Sequence, residues 1–172
     1  MPYAPFHKLC PEVASRETRT VTVLPGANLG LEPADYEFVE MYCDEPGCDC
    51  RRVMFSVISS AQQRIEAVVA WGWESSDFYR RWFGMDDPDT IRELKGPILN
   101  LACPQGPNAS AILRLAKNLL LSDPAYTERL QRHYALFRSR VDETTRQRPP
   151  ALNAPRTTGQ RRMMRKKRKT RR

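Results

Sequence analysis

Three of the five cysteines lie within eight residues in the spacing C-x4-C-x-C: Cys43, Cys48 and Cys50. Thiolates bind zinc, which takes about four ligands in a tetrahedron. Pro46-Gly47 lies between the first two cysteines, and this pair favours the sharp reversal that brings two thiolates to one ion. Arg51 and Arg52 follow directly, and their charge would offset that of a thiolate-rich centre and lower the pKa of the thiols. We call residues 43–50 the knuckle and predict that it binds a soft metal ion, most simply Zn2+.

Three cysteines leave a tetrahedral site one ligand short. Cys103 is our first choice for the fourth ligand, because it lies in a segment rich in Pro and Gly that can present a side chain freely. Cys10 and His7 come next, spaced H-x-x-C, and His133 third, although a histidine on an apolar helix face is more often a core residue. The remaining alternatives are Asp44, Asp49 and a water molecule.

The cysteines could also be free thiols or form disulfides. The chain opens with Met1-Pro2-Tyr3, without a basic segment followed by an apolar run, so we expect no secretory signal. Disulfides are disfavoured by the odd count of five cysteines and by the reducing environment of the cytoplasm. We therefore expect a cytoplasmic protein that spans no membrane.

Charge divides the chain into two parts. Twelve of its 28 Lys and Arg residues, and none of its 20 Asp and Glu residues, fall at or after Arg146. The preceding residues thus carry a small negative charge, although the whole chain carries +8. We predict a folded domain over residues 1–145 and a disordered basic tail over residues 146–172, since a block of like charges repels itself.

The basic tail has the composition of a polyanion-binding segment. Its cations meet phosphates without reading bases, and it has no aromatic side chain on which a base could stack. We therefore expect DNA, RNA or a ribonucleoprotein as its partner. Alternatively, the tail only increases solubility, binds an anionic membrane surface, or directs the protein to a nucleus. The predicted nucleic-acid-binding residues are Arg161, Arg162, Arg165, Lys166, Lys167, Arg168, Lys169, Arg171 and Arg172.

Four segments have the alternating or β-branched pattern of strands. They cover residues 19–24, 36–42, 52–58 and 63–73, and the second and third should pair across the knuckle. In the fourth, one face should carry Ile65, Ala67, Val69, Trp71 and Trp73. Residues 1–17 show little periodicity and read as an irregular arm.

Helical patterns follow the strands. Ser75 or Ser76 can cap a short helix that Gly84 ends, and Asp87 with Pro88 can begin a second. A third begins near Asn108, with a core face of Ile112, Leu113, Ala116, Leu119 and Leu120. The last follows Pro124, with the apolar stripe Tyr126, Leu130, His133, Tyr134, Phe137 and Val141. The fold class is therefore α+β: an antiparallel sheet of about four strands, with the knuckle at a hairpin tip and three or four helices on one face.

No phosphate-binding loop, dinucleotide fingerprint, zinc-protease motif or nucleophile elbow occurs, so we expect a protein that is not an enzyme. A thiolate pair of Cys103 with His133, or an open-sided zinc ion with Glu45 as base, would be the basis of a hydrolase or redox enzyme. A third alternative is a zinc-stabilised interaction module with an exposed patch of Trp71, Trp73 and Trp82, although these side chains suit core packing better.

The chain also resembles an uncharacterised family of small bacterial proteins over roughly residues 36–140. The resemblance is carried by Tyr42-Cys43, Cys48-Asp49-Cys50-Arg51-Arg52-Val53, Gly72-Trp73-Glu74, Gly96-Pro97, and Arg132-His133-Tyr134 with Phe137. The knuckle is its most specific part. The resemblance implies a metal site and assigns no activity.

Overall fold

A computed structural model describes residues 3–147 of the chain, a mixed α/β fold with one antiparallel sheet. The strands within these residues are β1 (Tyr3–Pro5), β2 (Arg19–Val23), β3 (Ala34–Cys43), β4 (Arg52–Ser59), β5 (Arg64–Gly72) and β6 (Ile98–Leu99). The helices are α1 (Phe6–Leu9), α2 (Pro11–Glu17), α3 (Ser76–Phe83), α4 (Pro88–Lys95), α5 (Ala109–Leu115), a π-helical segment (Ala116–Leu120) and α6 (Pro124–Gln147). The predicted antiparallel sheet is confirmed and is larger than expected.

The sheet has the strand order β1-β3-β4-β5-β6, and β2 also pairs with β3. Short β1 lies along the end of β3 that enters the knuckle, with Tyr3 opposite Cys43. On the other side of β3, β4 pairs from Ser59 opposite Tyr36 to Met54 opposite Met41. The two strands therefore form the predicted hairpin, and the knuckle connects them.

Alternation along the strands places one face of the sheet against the main core. Phe38 of β3, Phe55 of β4 and Val69 of β5 are almost fully buried on this face. Helix α6 covers it, and the predicted stripe is confirmed as buried throughout: Tyr126, Leu130, His133, Tyr134, Phe137 and Val141.

A β-bulge interrupts the alternation of β5. Val57 pairs with Ala67 but Ile58 pairs with Ile65, so Glu66 is the additional residue. Ile65 is consequently 48% exposed, whereas Glu66 is fully buried. The prediction that Ile65 lies on the core face was therefore wrong, because the bulge changes the phase of the alternation there.

Helices α3 and α4 begin as predicted, and α3 also ends as predicted. The Ser75 side chain accepts a hydrogen bond from the backbone N–H of Phe78, and Gly84 ends α3 in the left-handed conformation. Asp87 caps α4 by accepting from the backbone N–H of Thr90. Tyr79, Ile91 and Leu94 form a second, smaller core between these helices.

The N-terminal arm is the main difference from expectation. Residues 3–17 form β1, α1 and α2 and are not irregular, and Phe6 is buried in the main core. These elements are too short to show periodicity, and they are held by contacts with β3 and α6. The expected order of strands followed by helices is therefore only partly correct.

A second difference lies in the third predicted helix, where α5 passes into the π-helical segment at Ala116. The wider turn changes the angular phase of the residues that follow. Leu119, predicted to be in the core, is 53% exposed, whereas Leu120 is buried.

The predicted basic tail falls almost entirely outside the described residues, as do all nine of its predicted nucleic-acid-binding residues. Within the residues described, no helix is long and apolar enough to cross a membrane.

Candidate metal centre

The structure brings the three cysteines of the knuckle together. The ligand atoms of Cys43, Cys48 and Cys50 all lie within 4.8 Å of one another. Cys43 and Cys50 are fully buried, and Cys48 is half-buried at the surface. The predicted convergence of the three thiols is confirmed, and they are close enough to bind a metal ion.

The backbone of the knuckle reverses where the sequence suggested. Gly47 has a positive φ of 72°, and the backbone N–H of Cys48 donates to the carbonyl of Glu45 at 3.2 Å. Arg51 also has a positive φ, of 48°, which is uncommon for a residue with a side chain. This second special conformation turns the chain from Cys50 into β4.

Helix α6 holds the knuckle in place through hydrogen bonds. The Arg138 guanidinium donates to the carbonyl of Cys43 at 3.1 Å and to that of Glu45 at 2.8 Å. Tyr134 lies one turn earlier, and its hydroxyl is 3.4 Å from the backbone N–H of Arg51, which donates to it. The loop that carries the cysteines is therefore fixed to the longest helix of the described chain.

The protein raises the pKa of the two buried thiols of the knuckle. Burial, followed by the charges of Cys48 and Cys43, raises the pKa of Cys50 to about 12. Burial also raises the pKa of Cys43. A metal ion must therefore displace protons from these thiols, and its apparent affinity should rise with pH.

The two arginines after the knuckle do not have the role that we expected. Arg51 forms ion pairs with Asp49 and Glu74, each at 2.9 Å, so carboxylates already balance its charge. Arg52 points elsewhere and donates from Nη2 to the carbonyl of Glu93 at 3.0 Å. Neither guanidinium is a main influence on the pKa of Cys43 or Cys50; the backbone N–H of Arg52 lowers the pKa of Cys50, but burial outweighs it.

The structure does not bring a fourth predicted ligand to the cluster. Among residues 3–147, the group with mutually close ligand atoms comprises the three knuckle cysteines alone. Cys103 lies beyond β6, where its sulfur is 3.5 Å from the Asn100 amide nitrogen. Cys10 is buried beside α6, and His7 is exposed on α1. The expectation that Cys103 completes the site therefore has no support in this geometry.

His133 is a buried core residue and not a metal ligand in this arrangement. Its Nδ1 lies 2.8 Å from Oε2 of Glu40, its Nε2 lies 3.1 Å from Oε2 of Glu17, and its ring stacks on Phe6. Both ring nitrogens thus face carboxylates, so the ring has no nitrogen free to activate Cys103. The thiolate-pair alternative therefore loses its geometric basis.

The three tryptophans do not form a free patch. Trp71, Trp73 and Trp82 are half-buried and pack against the main core. The ring of Trp73 lies 5.1 Å from that of Tyr134, directly behind the knuckle. This favours a packing role over a contact surface.

Sequence reasoning missed two side chains that support the knuckle: Tyr134, as a hydrogen-bonding group, and Arg138. Arg138 is only 9% exposed, although it lies next to buried Phe137. An arginine next to an apolar stripe only weakly indicates a buried supporting role, because arginine at such a position usually extends into solvent. Its two acceptors are carbonyls, which the amino-acid sequence does not mark.

Comparisons with known proteins add no family to this description: no protein-family model, no curated protein and no solved structure matches the chain. The resemblance to the small bacterial proteins therefore stays a prediction.

Proposed function

We propose that the knuckle is a zinc site that stabilises a domain without catalytic activity, and that the basic tail takes this domain to nucleic acid in the cytoplasm. The observation that carries the first half is the cluster of three sulfur atoms within 4.8 Å of one another. Zinc–sulfur bonds of about 2.3 Å in a tetrahedron separate the sulfurs by about 3.8 Å. The sulfur cluster therefore needs only a small contraction to hold the ion.

Zinc is the ion that suits this donor set best. Three thiolates on one short loop form a soft, compact site, and soft thiolates select zinc or Cu(I) over magnesium and calcium. Two of the sulfurs are fully buried, as expected for a site that contributes to folding and not to turnover. The ion would connect the end of β3 to the beginning of β4.

Asp44 is our proposal for the fourth ligand. It follows Cys43 directly, and its Oδ1 is buried without a hydrogen-bond partner. A buried carboxylate oxygen that accepts no hydrogen bond is costly unless a cation satisfies it. Asp44 lies outside the 4.8 Å group, so this role requires its side chain to turn towards the ion.

The metal site can be tested by cobalt titration of the full chain, because tetrahedral thiolate-bound Co2+ absorbs visible light. We expect one saturable site in the parent chain and in Cys103→Ser, and loss of that site in Cys48→Ser. Cys48 is the half-buried member of the cluster, so its substitution disturbs packing least. If Cys48→Ser still takes up Co2+ with the parent spectrum, the knuckle is not the site.

The proposed role of the tail is supported by its charge alone. Residues 161–172 include nine cations and no acidic residue. Neutralising several phosphates makes the logarithm of the binding constant fall linearly with that of the salt concentration, with a slope of about −0.9 per phosphate on duplex DNA. A tail of this composition should therefore bind strongly at low salt and without sequence preference.

Removal of residues 148–172 tests this second half of the proposal. We expect the full chain to bind duplex DNA or structured RNA with a steep salt dependence, and the shortened chain to lose most of that affinity while keeping its metal. Equal affinity of the two chains, or equal affinity at low and physiological salt, would contradict it.

A further inference from the structure

Arg52 is a buried cation without an acidic partner. It is 6% exposed, and none of the ion pairs among residues 3–147 includes it. Its Nη2 donates to the carbonyl of Glu93, and its Nε has no hydrogen-bond partner. Arginine is rarely buried unless it is paired, because the charge loses its hydration. Within residues 3–147, this charge therefore has no ion pair.

The side chain of Arg52 lines a cavity on the face of the sheet opposite the main core. Val53 points into that core, whereas Arg52 and Met54 line a cavity of about 260 Å³ between β4, β5, α4 and the segment after β6. Its apolar walls include Met54, Ala70, Leu94 and Leu101. The cavity is slightly smaller than the ~300–1,000 Å³ of pockets for drug-sized ligands.

Asn100 supplies a second polar group in the same cavity. Its amide nitrogen lies 3.5 Å from the Met54 sulfur and 3.5 Å from the Cys103 sulfur. Sulfur is a weak hydrogen-bond acceptor, so this amide has no strong acceptor among its neighbours. Its other atoms are engaged, since its backbone N–H donates to Val68 and its carbonyl accepts from Gln105. A buried guanidinium and an amide donor therefore occur together within apolar walls.

We propose that this cavity binds a small organic carboxylate, with its anionic group on Arg52 and Asn100 and its apolar body against Met54, Ala70 and Leu94. The planar guanidinium suits a carboxylate, and the apolar walls suit a short branched or aromatic acid. Glu93 also lines the cavity, and its negative charge repels a doubly charged anion such as phosphate more strongly than a singly charged carboxylate. This inference is independent of the zinc site.

The proposal can be tested with isovalerate added to the full, metal-loaded chain, by following backbone amide resonances in solution NMR. The matched control is isovaleramide, which has the same shape without the charge, and inorganic phosphate is the second control. We expect saturable shifts at Arg52, Asn100 and Leu101 with isovalerate, at least about tenfold weaker binding of the amide, and no effect of phosphate at these residues.

Two variants locate the anion. Arg52→Met should abolish the saturable shifts, and circular dichroism and metal content will show whether that variant folds. Leu101→Glu adds a negative charge at a position that is 81% exposed, and it should weaken isovalerate binding relative to Leu101→Gln. Equal binding of acid and amide, no saturable shift at these residues, tighter binding of phosphate, or equal affinity of Leu101→Glu and Leu101→Gln would each overturn the proposal.

Discussion

At the scale of single residues, the knuckle brings three cysteine ligand atoms within 4.8 Å of one another on one short loop, and no fourth predicted ligand lies in that group. C-x4-C-x-C around Pro-Gly leaves few ways to arrange the thiols, so their convergence followed from local chain geometry. A fourth ligand depends on long-range packing, and the amino-acid sequence does not give the distance from Cys103 to the hairpin. Arg51 was misjudged for the same reason, since its partner Glu74 lies beyond β5.

Substitution of Asp44 tests the proposed fourth ligand. We expect Asp44→Ala to lower the zinc affinity at least about tenfold, because a ligand is lost and the loop carries one charge fewer. Glu45→Ala is the matched control, since Glu45 is exposed and its hydrogen bonds with Arg138, Cys48 and Cys43 are made by its backbone, which alanine retains. Competition with a chromophoric chelator measures both affinities. Equal losses in the two variants would exclude a special role for Asp44.

The carboxylate of Glu17 makes a pH-dependent contribution to stability. Burial alone would raise its pKa, but the hydrogen bond from His133 and the charge of Arg132 outweigh this and hold the pKa below its ordinary value of 4.5. A carboxyl whose pKa is depressed by folding stabilises the fold above its unfolded pKa, and this contribution is lost as the pH falls through its folded pKa.

We therefore expect Glu17→Gln to be less stable than the parent chain at pH 7, and the difference to shrink as the pH falls below about 4.5. Denaturant unfolding at several pH values measures this. Glu12→Gln, at an exposed position of the same helix, is the control and should follow the parent curve. A difference that stays constant with pH would show that Glu17 acts by packing alone.

At the scale of elements, the long strands, the caps of α3 and α4 and the stripe of α6 could be predicted, because each depends on a local pattern. The four predicted strands differ from β2–β5 by a few terminal residues. The incorrect predictions of secondary structure and burial have physical causes. The bulge at Glu66 and the π-helical segment change phase within an element, and the short N-terminal elements are stabilised by contacts that lie far away in the chain.

Helix α6 holds the knuckle in place, and Arg138 is the residue that tests this. Arg138→Ala would remove the guanidinium that donates to the carbonyls of Cys43 and Glu45, and a buried carbonyl that loses its donor costs roughly 1–3 kcal/mol. We expect a loss of unfolding free energy of that size, together with weaker zinc binding, as measured by denaturant unfolding and chelator competition. Arg140→Ala is the matched control on the exposed side of the same helix. If the two variants behave alike, Arg138 does not support the site.

At the scale of the whole molecule, the chain combines a slightly acidic body with a strongly basic end, and the candidate metal centre belongs to the body. The charge division could be counted from the amino-acid sequence, whereas the cavity at Arg52 could not, because it forms between strands and a helix that are distant in the chain. The proposals for the zinc site and for the tail can be tested separately, since removing the tail leaves the three thiols in the chain.

The most direct test of the zinc site is the metal content of the purified full chain, measured by elemental analysis without added metal or chelator. We predict about one zinc ion per chain, and its loss in Cys48→Ser together with a lower thermal midpoint, because metal binding contributes to folding. A parent chain that is cooperatively folded and contains no metal would contradict the zinc centre. The three thiols would then have to act as a redox group or as packed core.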